Sequence, residues 1–168
     1  MFTKYLKTSK PPTQPLFIWD GECGFCKYWI MVWQSNTKGL TYRTFQEVAS
    51  DFPDIPLKEF KKASRLIEPD GSVFSGPDSA FRTFYYFNKP NKHWHKRYEN
   101  SLIFQKLTDY SYNWMAKNRP LMMKITLAFW GKNPLRRKPN LAYLAIWSDE
   151  YSYRNDLFTE LISKLTLL

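Results

Sequence analysis

Apolar and polar positions along this chain follow two rhythms, and the sharpest change between them comes early. Leu16, Phe17, Ile18 and Trp19 form an unbroken apolar run, the pattern of a short strand covered on both faces. Asp20 and Gly21 end the run. From Gly24 onward apolar residues recur at helical spacing, with Phe25, then Tyr28 and Trp29, then Val32 and Trp33. This predicts a helix over 24–34 with that stripe in the core. Polar residues 35–39, closing on Gly39, suit a helix exit. Residues 40–45 alternate and are rich in β-formers, which predicts a second strand. Strand, helix and strand in that order imply a right-handed crossover and a parallel pair. The turn at 20–26 then falls at the carboxyl end of the first strand, where open α/β sheets place their sites.

Beyond residue 46 the rhythm weakens. Phe52-Pro53-Asp54-Ile55-Pro56 breaks any long helix, 57–62 suits a short one, and the stretch reads as a substrate-facing loop bordering the site or as a simple connection, the latter favoured. Pro69-Asp70-Gly71 is a turn signal that joins 64–68 to 72–75 as a β-hairpin. Pro77 and Asp78 suit the first turn of a following helix, whose apolar face carries Ala80, Phe81, Phe84 and Tyr85. Residues 88–100 read as a basic, histidine-bearing linker. Residues 102–116 predict a helix with Ile103, Leu107, Tyr110 and Trp114 on one side. Pro120 interrupts it, and 121–130 continue as a second apolar helix ended by Gly131. A tail from residue 134 carries a basic cluster and a short amphipathic helix candidate at 157–168.

The chain holds two cysteines, and both lie in Asp20-Gly21-Glu22-Cys23-Gly24-Phe25-Cys26. A bare Cys-x-x-Cys is a metal half-site about as readily as a redox pair, but strand-turn-helix context favours thiol–disulfide exchange. A helix N-terminus stabilises a thiolate, because unpaired backbone N–H groups point at the sulfur and can lower a thiol pKa from about 8.5 to about 7 or below. Cys23 is therefore the expected attacking thiolate, and Cys26, on the same helical face, the resolving thiol. Gly24 leaves the approach open and Phe25 offers a partner an apolar surface, whereas Glu22 weakly opposes the thiolate. Asp20 has two readings: a proton acceptor for Cys26, or a cap on the turn through backbone N–H bonds, the latter favoured. His93 and His95, the only histidines, could complete a Cys2His2 metal set. A His-x-His in a basic linker is more often surface, so no metal and no other cofactor is expected.

The Asp20-x-x-Cys23-x-x-Cys26 pattern resembles the signature of the DCC family of thiol-disulfide oxidoreductases. The segment from Glu68-Pro69-Asp70-Gly71 to Gly76-Pro77-Asp78-Ser79-Ala80 is similar to that family's hairpin-to-helix region. Tyr112 to Pro120, with Ala116-Lys117-Asn118-Arg119, and then Trp130-Gly131, resemble its C-terminal helical region. The resemblance implies a thioredoxin-like fold and a redox activity toward a protein thiol or disulfide. The element order agrees: an α/β fold with a thioredoxin-like core, β-α-β then β-β-α, and additional C-terminal helices. Residues 1–15 are then a leader, 16–133 the domain, and 134–168 an extension packed on it. One departure is visible. Thioredoxins carry a cis-proline that faces the cysteines before the third strand, and here Ala63 and Ser64 occupy that place.

Composition adds a second possibility. The net charge is +10 and 18% of the residues are aromatic, and no acidic residue falls between Asp109 and Asp149. A basic stretch interleaved with Trp and Phe suits an anionic membrane surface or a membrane-protein partner, or is simply a solvated basic face. No recognition motif for a specific nucleic acid accompanies it. The alternative function is thus a non-catalytic thioredoxin-like interaction module that docks through its C-terminal half. The first residues lack the apolar run of a secretory signal, and no stretch approaches the roughly 18 apolar residues of a spanning helix, so a soluble cytoplasmic protein is expected.

Overall fold

The computed structural model describes residues 7–135. Strand β1 (Leu16–Trp19) leads through the cysteine turn into α1 (Gly24–Gln34), and β2 (Thr41–Thr44) follows. Two short helices, α2 (Phe45–Val48) and α3 (Leu57–Lys62), precede the hairpin of β3 (Arg65–Ile67) and β4 (Val73–Ser75). Then come α4 (Pro77–Thr83), α5 (His93–Asn100), α6 (Leu102–Lys117) and α7 (Arg119–Trp130). The strands form one mixed sheet in the order β2-β1-β3-β4. The β1–β2 pair is parallel, with Leu16 opposite Thr41, while β1–β3 and β3–β4 are antiparallel. This is the thioredoxin-like β-α-β, β-β-α core with extra C-terminal helices.

The unbroken apolar run of β1 has its cause in this order. β1 has a strand on each side, and both its faces are covered. Leu16 and Ile18 pack with Phe45, Val48, Phe52, Ile55 and Phe60 from α2, α3 and their connection. Phe17 points the other way, onto Ile30 and Trp33 of α1 and Leu66 of β3. Burying rings and branched chains of this size contributes about 1.5–3 kcal/mol per residue. β2 sits at the edge, so it alternates, with Thr41 and Arg43 exposed.

The expected stripe of α1 is only half right. Tyr28, Ile30 and Val32 are its buried residues, and Phe25, Trp29 and Trp33 are half-buried. α1 packs on two partners at once: the sheet through Ile30 and Trp33, and α7 through Tyr28 and Trp29. Tyr28 Oη donates to the Gly131 carbonyl at 3.1 Å, and the Trp29 ring meets Trp130 edge to face.

Residues 93–100 are helix α5 rather than a linker. The segment His93-Trp94-His95-Lys96-Arg97-Tyr98 is too polar to announce an apolar face, yet His95 and Tyr98, three apart, are both 2% exposed. Their polar groups face other polar groups. Tyr98 Oη donates to Asp109 at 2.8 Å, and His95 lies 3.1 Å from Asp78 and 3.1 Å from Tyr85 Oη. Asp78 thus serves the first turn of α4 and faces α5. Downstream, the helix break falls at Asn118, and Pro120 is the second residue of α7, where a missing N–H costs nothing.

Part of the leader is tied down. Lys7 bridges Ser72, while Thr8 Oγ1 and Ser9 N–H donate to the two oxygens of Asp54. The extension beyond residue 135, with its helix candidate at 157–168, lies outside the described residues.

Candidate active site

The chain turns sharply after β1, and the turn is specified by side chains. The Asp20 carbonyl accepts the Cys23 N–H at 3.1 Å, and Asp20 Oδ1 accepts the Glu22 N–H at 3.2 Å. Gln46, on α2, braces the turn from outside: its Nε2 donates to Asp20 Oδ1 at 3.0 Å and its Oε1 accepts the Gly21 N–H at 3.1 Å. Glycine at 21 avoids crowding Thr44, because a Cβ there would lie 2.8 Å from Thr44 Cγ2.

The turn delivers Cys23 to the N-cap of α1. Its backbone is extended (φ −87°, ψ 104°), and its carbonyl accepts the first helical bond, from Lys27 N–H, at 2.9 Å. Its sulfur accepts the Cys26 N–H at 3.1 Å. A thiolate at Cys23 would receive the same hydrogen bond and the positive end of the helix dipole. Cys23 and Cys26 are joined as a disulfide, with Cα atoms 5.2 Å apart. In this oxidised form Cys23 is 7% exposed and Cys26 is partly exposed. Gly24 is exposed, with nothing within 4 Å of where a Cβ would sit, and Phe25 is half-buried beside it.

Asp20 is more heavily engaged than either sequence reading anticipated. Oδ1 takes the Glu22 and Gln46 bonds, and Oδ2 is ion-paired at 2.7 Å with Arg119 at the head of α7. Both oxygens are held by donors, the arrangement of a clamp. Arg119 is 99 residues away in sequence. It is the last residue of the Ala116-Lys117-Asn118-Arg119 stretch that resembles the DCC family, but nothing in the local sequence ties it, or Gln46, to the cysteine turn.

Ala63 and Ser64 immediately precede β3. Arg65 lies opposite Ile18, so these two residues reach the end of the sheet where β1 enters the cysteine turn. Ala63 is buried and extended (φ −158°, ψ 155°), and no cis peptide occurs among the described residues. The Ser64 N–H donates to Tyr112 Oη of α6 at 3.1 Å. Ser64 Oγ lies 3.0 Å from that same Tyr112 Oη and 3.0 Å from Ser79 Oγ of α4. Tyr112 therefore closes the backbone donor of Ser64 from within the chain. Tyr112→Phe should cost about 1–2 kcal/mol, because it strips partners from two part-buried polar groups. Chemical denaturation of the oxidised protein checks this; an unchanged midpoint would mean that water replaces the hydroxyl.

The histidines do not join the cysteines. His93 is exposed and His95 is packed among Phe74, Tyr85 and Asp78. Among the described residues no group of three or more His, Cys, Asp or Glu side chains gathers to hold a metal ion. No described helix is long and apolar enough to cross a membrane.

Fold and site together define a small thioredoxin-like α/β domain with a Cys-x-x-Cys pair at disulfide distance. Comparison with known family models, curated proteins and solved structures found no match.

Proposed function

We propose that this chain is a thiol–disulfide oxidoreductase acting on a protein partner through a mixed disulfide, and that it belongs to the DCC family it resembles. The observation that carries the proposal is the Cys23–Cys26 pair at the start of α1, with the Cys26 N–H already directed at the Cys23 sulfur. In the direction that reduces the partner, the Cys23 thiolate attacks one sulfur of a partner disulfide. That bond breaks, and the expelled partner thiolate takes up a proton. Cys26 gives up its proton to solvent and attacks Cys23. The Cys23–partner bond breaks, the second partner thiol leaves, and the Cys23–Cys26 disulfide remains. Two electrons have passed to the partner. The reverse sequence starts from the oxidised pair seen here. Gly24, Phe25 and Ser64 border the partner, buried Ala63 backs that corner, and Asp20 holds the turn. One domain over 16–133 carries the activity, in a reducing compartment such as the cytoplasm.

The test is a titration of the purified protein in graded glutathione buffers, with alkylated thiols counted by mass and Cys23 alkylation followed against pH. A reversible two-electron transition is expected, with Cys23 titrating well below about 8.5. Thiols that stay reduced throughout, with Cys23 titrating as an ordinary thiol, would overturn the reading.

One observation supports a second reading, an interaction module. The side of α6 bearing Ile103, Leu107, Tyr110 and Trp114 is exposed rather than core, with Ile103 at 83%. Leu121 and Phe129 of α7 are exposed too, beside Lys124 and Lys132. Apolar rings edged by lysine suit an anionic membrane surface or a membrane protein. Under this reading a Cys23→Ser/Cys26→Ser double variant keeps its partner.

A further inference from the structure

The bridge between Asp20 and Arg119 does more than close a loop, and the role inferred for it rests on the oxidoreductase reading of the cysteine pair. Asp20 sits three residues before Cys23, in the same turn, and a carboxylate there opposes formation of a thiolate at the start of α1. Among the described residues, the turn carries Asp20 and Glu22, α1 carries exposed Lys27, α2 presents the neutral Gln46 followed by exposed Glu47 paired with Arg43 of β2, and α7 presents Arg119. Glu22 is exposed to water, which screens it. Asp20 and Arg119 are mostly withdrawn from it, with side chains 20% and 27% exposed. Their mutual cancellation is therefore less screened by water than the charge of Glu22 is.

We propose that Arg119 is a positioning residue for the cysteine pair. It neutralises Asp20, and it ties the turn before Cys23 to the head of α7. The neutralised carboxylate keeps its hydrogen bonds to Glu22 N–H and Gln46 Nε2, so the turn holds its shape while the charge that would raise the energy of the Cys23 thiolate is offset. α7 is a suitable anchor, since it is packed on α1 through the Trp29 Nε1–Thr126 bond at 3.3 Å and the Tyr28 bond to Gly131. Both ends of the bridge are thus fixed relative to the helix that carries the sulfurs. Both Asp20 oxygens are engaged by donors of the turn, of α2 and of α7, which is the arrangement of a structural brace.

Sign, rather than size, separates this role from simple bracing. Arg119→Gln leaves Asp20 charged and uncompensated, so the alkylation pKa of Cys23 should rise by roughly one unit. Asp20→Asn leaves Arg119 uncompensated, so the pKa should fall. The Arg119→Gln/Asp20→Asn pair should return near the wild-type value, and Arg119→Lys, which keeps the charge without the planar fork, should fall between Arg and Gln. The experiment is reduced-protein alkylation against pH for these variants at low and at 0.5 M salt, read by mass, with circular dichroism to show that each is folded. High salt should shrink every shift. A bracing role alone would loosen the turn in all variants, moving the pKa in one direction or not at all, and that outcome overturns the proposal. If Arg119→Gln fails to fold, Arg119→Lys decides, because a rise that high salt shrinks supports the proposal and a fall or no change refutes it. The glutathione titration of the wild-type protein stays separate. Absence of a two-electron transition would remove the oxidoreductase reading, whereas the pattern of pKa signs would still report on Arg119.

Discussion

Cys26→Ser should trap a stable mixed disulfide between Cys23 and a protein disulfide substrate, while Cys23→Ser traps none and lowers exchange by about a thousandfold or more. Two properties of the pair pull in opposite directions. Exposure favours Cys26, since Cys23 is only 7% exposed in the oxidised form. Electrostatics favours Cys23, which alone occupies the N-cap of α1 and alone accepts a backbone N–H at its sulfur. A charge-assisted hydrogen bond at a helix N-terminus is about twice as strong as a neutral one, and the attacking species has to be the thiolate. Breaking the disulfide also frees the Cys23 side chain to rotate toward solvent. Electrostatics should therefore win. Mass spectrometry of the trapped adduct checks the assignment, and trapping by Cys23→Ser instead would give the attack to Cys26.

The largest loss of stability should come from a pair outside the cysteine turn. Arg65, on β3 directly after Ala63 and Ser64, is 1% exposed. Its guanidinium donates to the Glu59 carbonyl at 3.0 Å and to Glu59 Oε2 at 3.1 Å, and it also reaches Ser75 Oγ. Glu59→Ala leaves that charge buried without its carboxylate, which should cost about 3–5 kcal/mol. A Glu59→Leu/Arg65→Met double variant removes both charges and should recover most of the loss, because paired apolar replacements avoid the desolvation penalty. Denaturant unfolding of the three proteins measures both values. If the single variant loses under about 1 kcal/mol, water has reached Arg65 and the pair is not sealed. Since Arg65 fixes the start of β3, the same loss should make the Ala63–Ser64 corner exchange amide hydrogens faster.

Local rules carried the reading a long way where the signal lay in neighbouring residues. β1 and α1 were legible because a fully covered strand and a half-covered helix leave different periodicities, and the Pro69-Asp70-Gly71 turn because few residues suit its backbone. Helix α5 was missed because the two buried residues that hold it, His95 and Tyr98, are polar. Their burial depends on Asp78, Tyr85 and Asp109, which only the fold brings within reach. The face of α6 raised the opposite difficulty. Ile103, Leu107, Tyr110 and Trp114 have core spacing but are exposed, while half-buried Phe104 and Tyr112 and buried Gln105 and Asp109 turn inward. Periodicity marks a stripe without saying what covers it.

By itself the sequence determined the order of the four strands with α1 and α4, the turn and the placing of both cysteines at the start of a helix. Each of these comes from steric and hydrogen-bonding preferences within a few residues. Only the tertiary structure decided which groups surround that pair. Gln46 and Arg119 on the Asp20 carboxylate, and Tyr112 on Ser64, come from elements 26, 99 and 48 residues away. A charge acts through space, and the packing of α7 on α1 is what sets that distance.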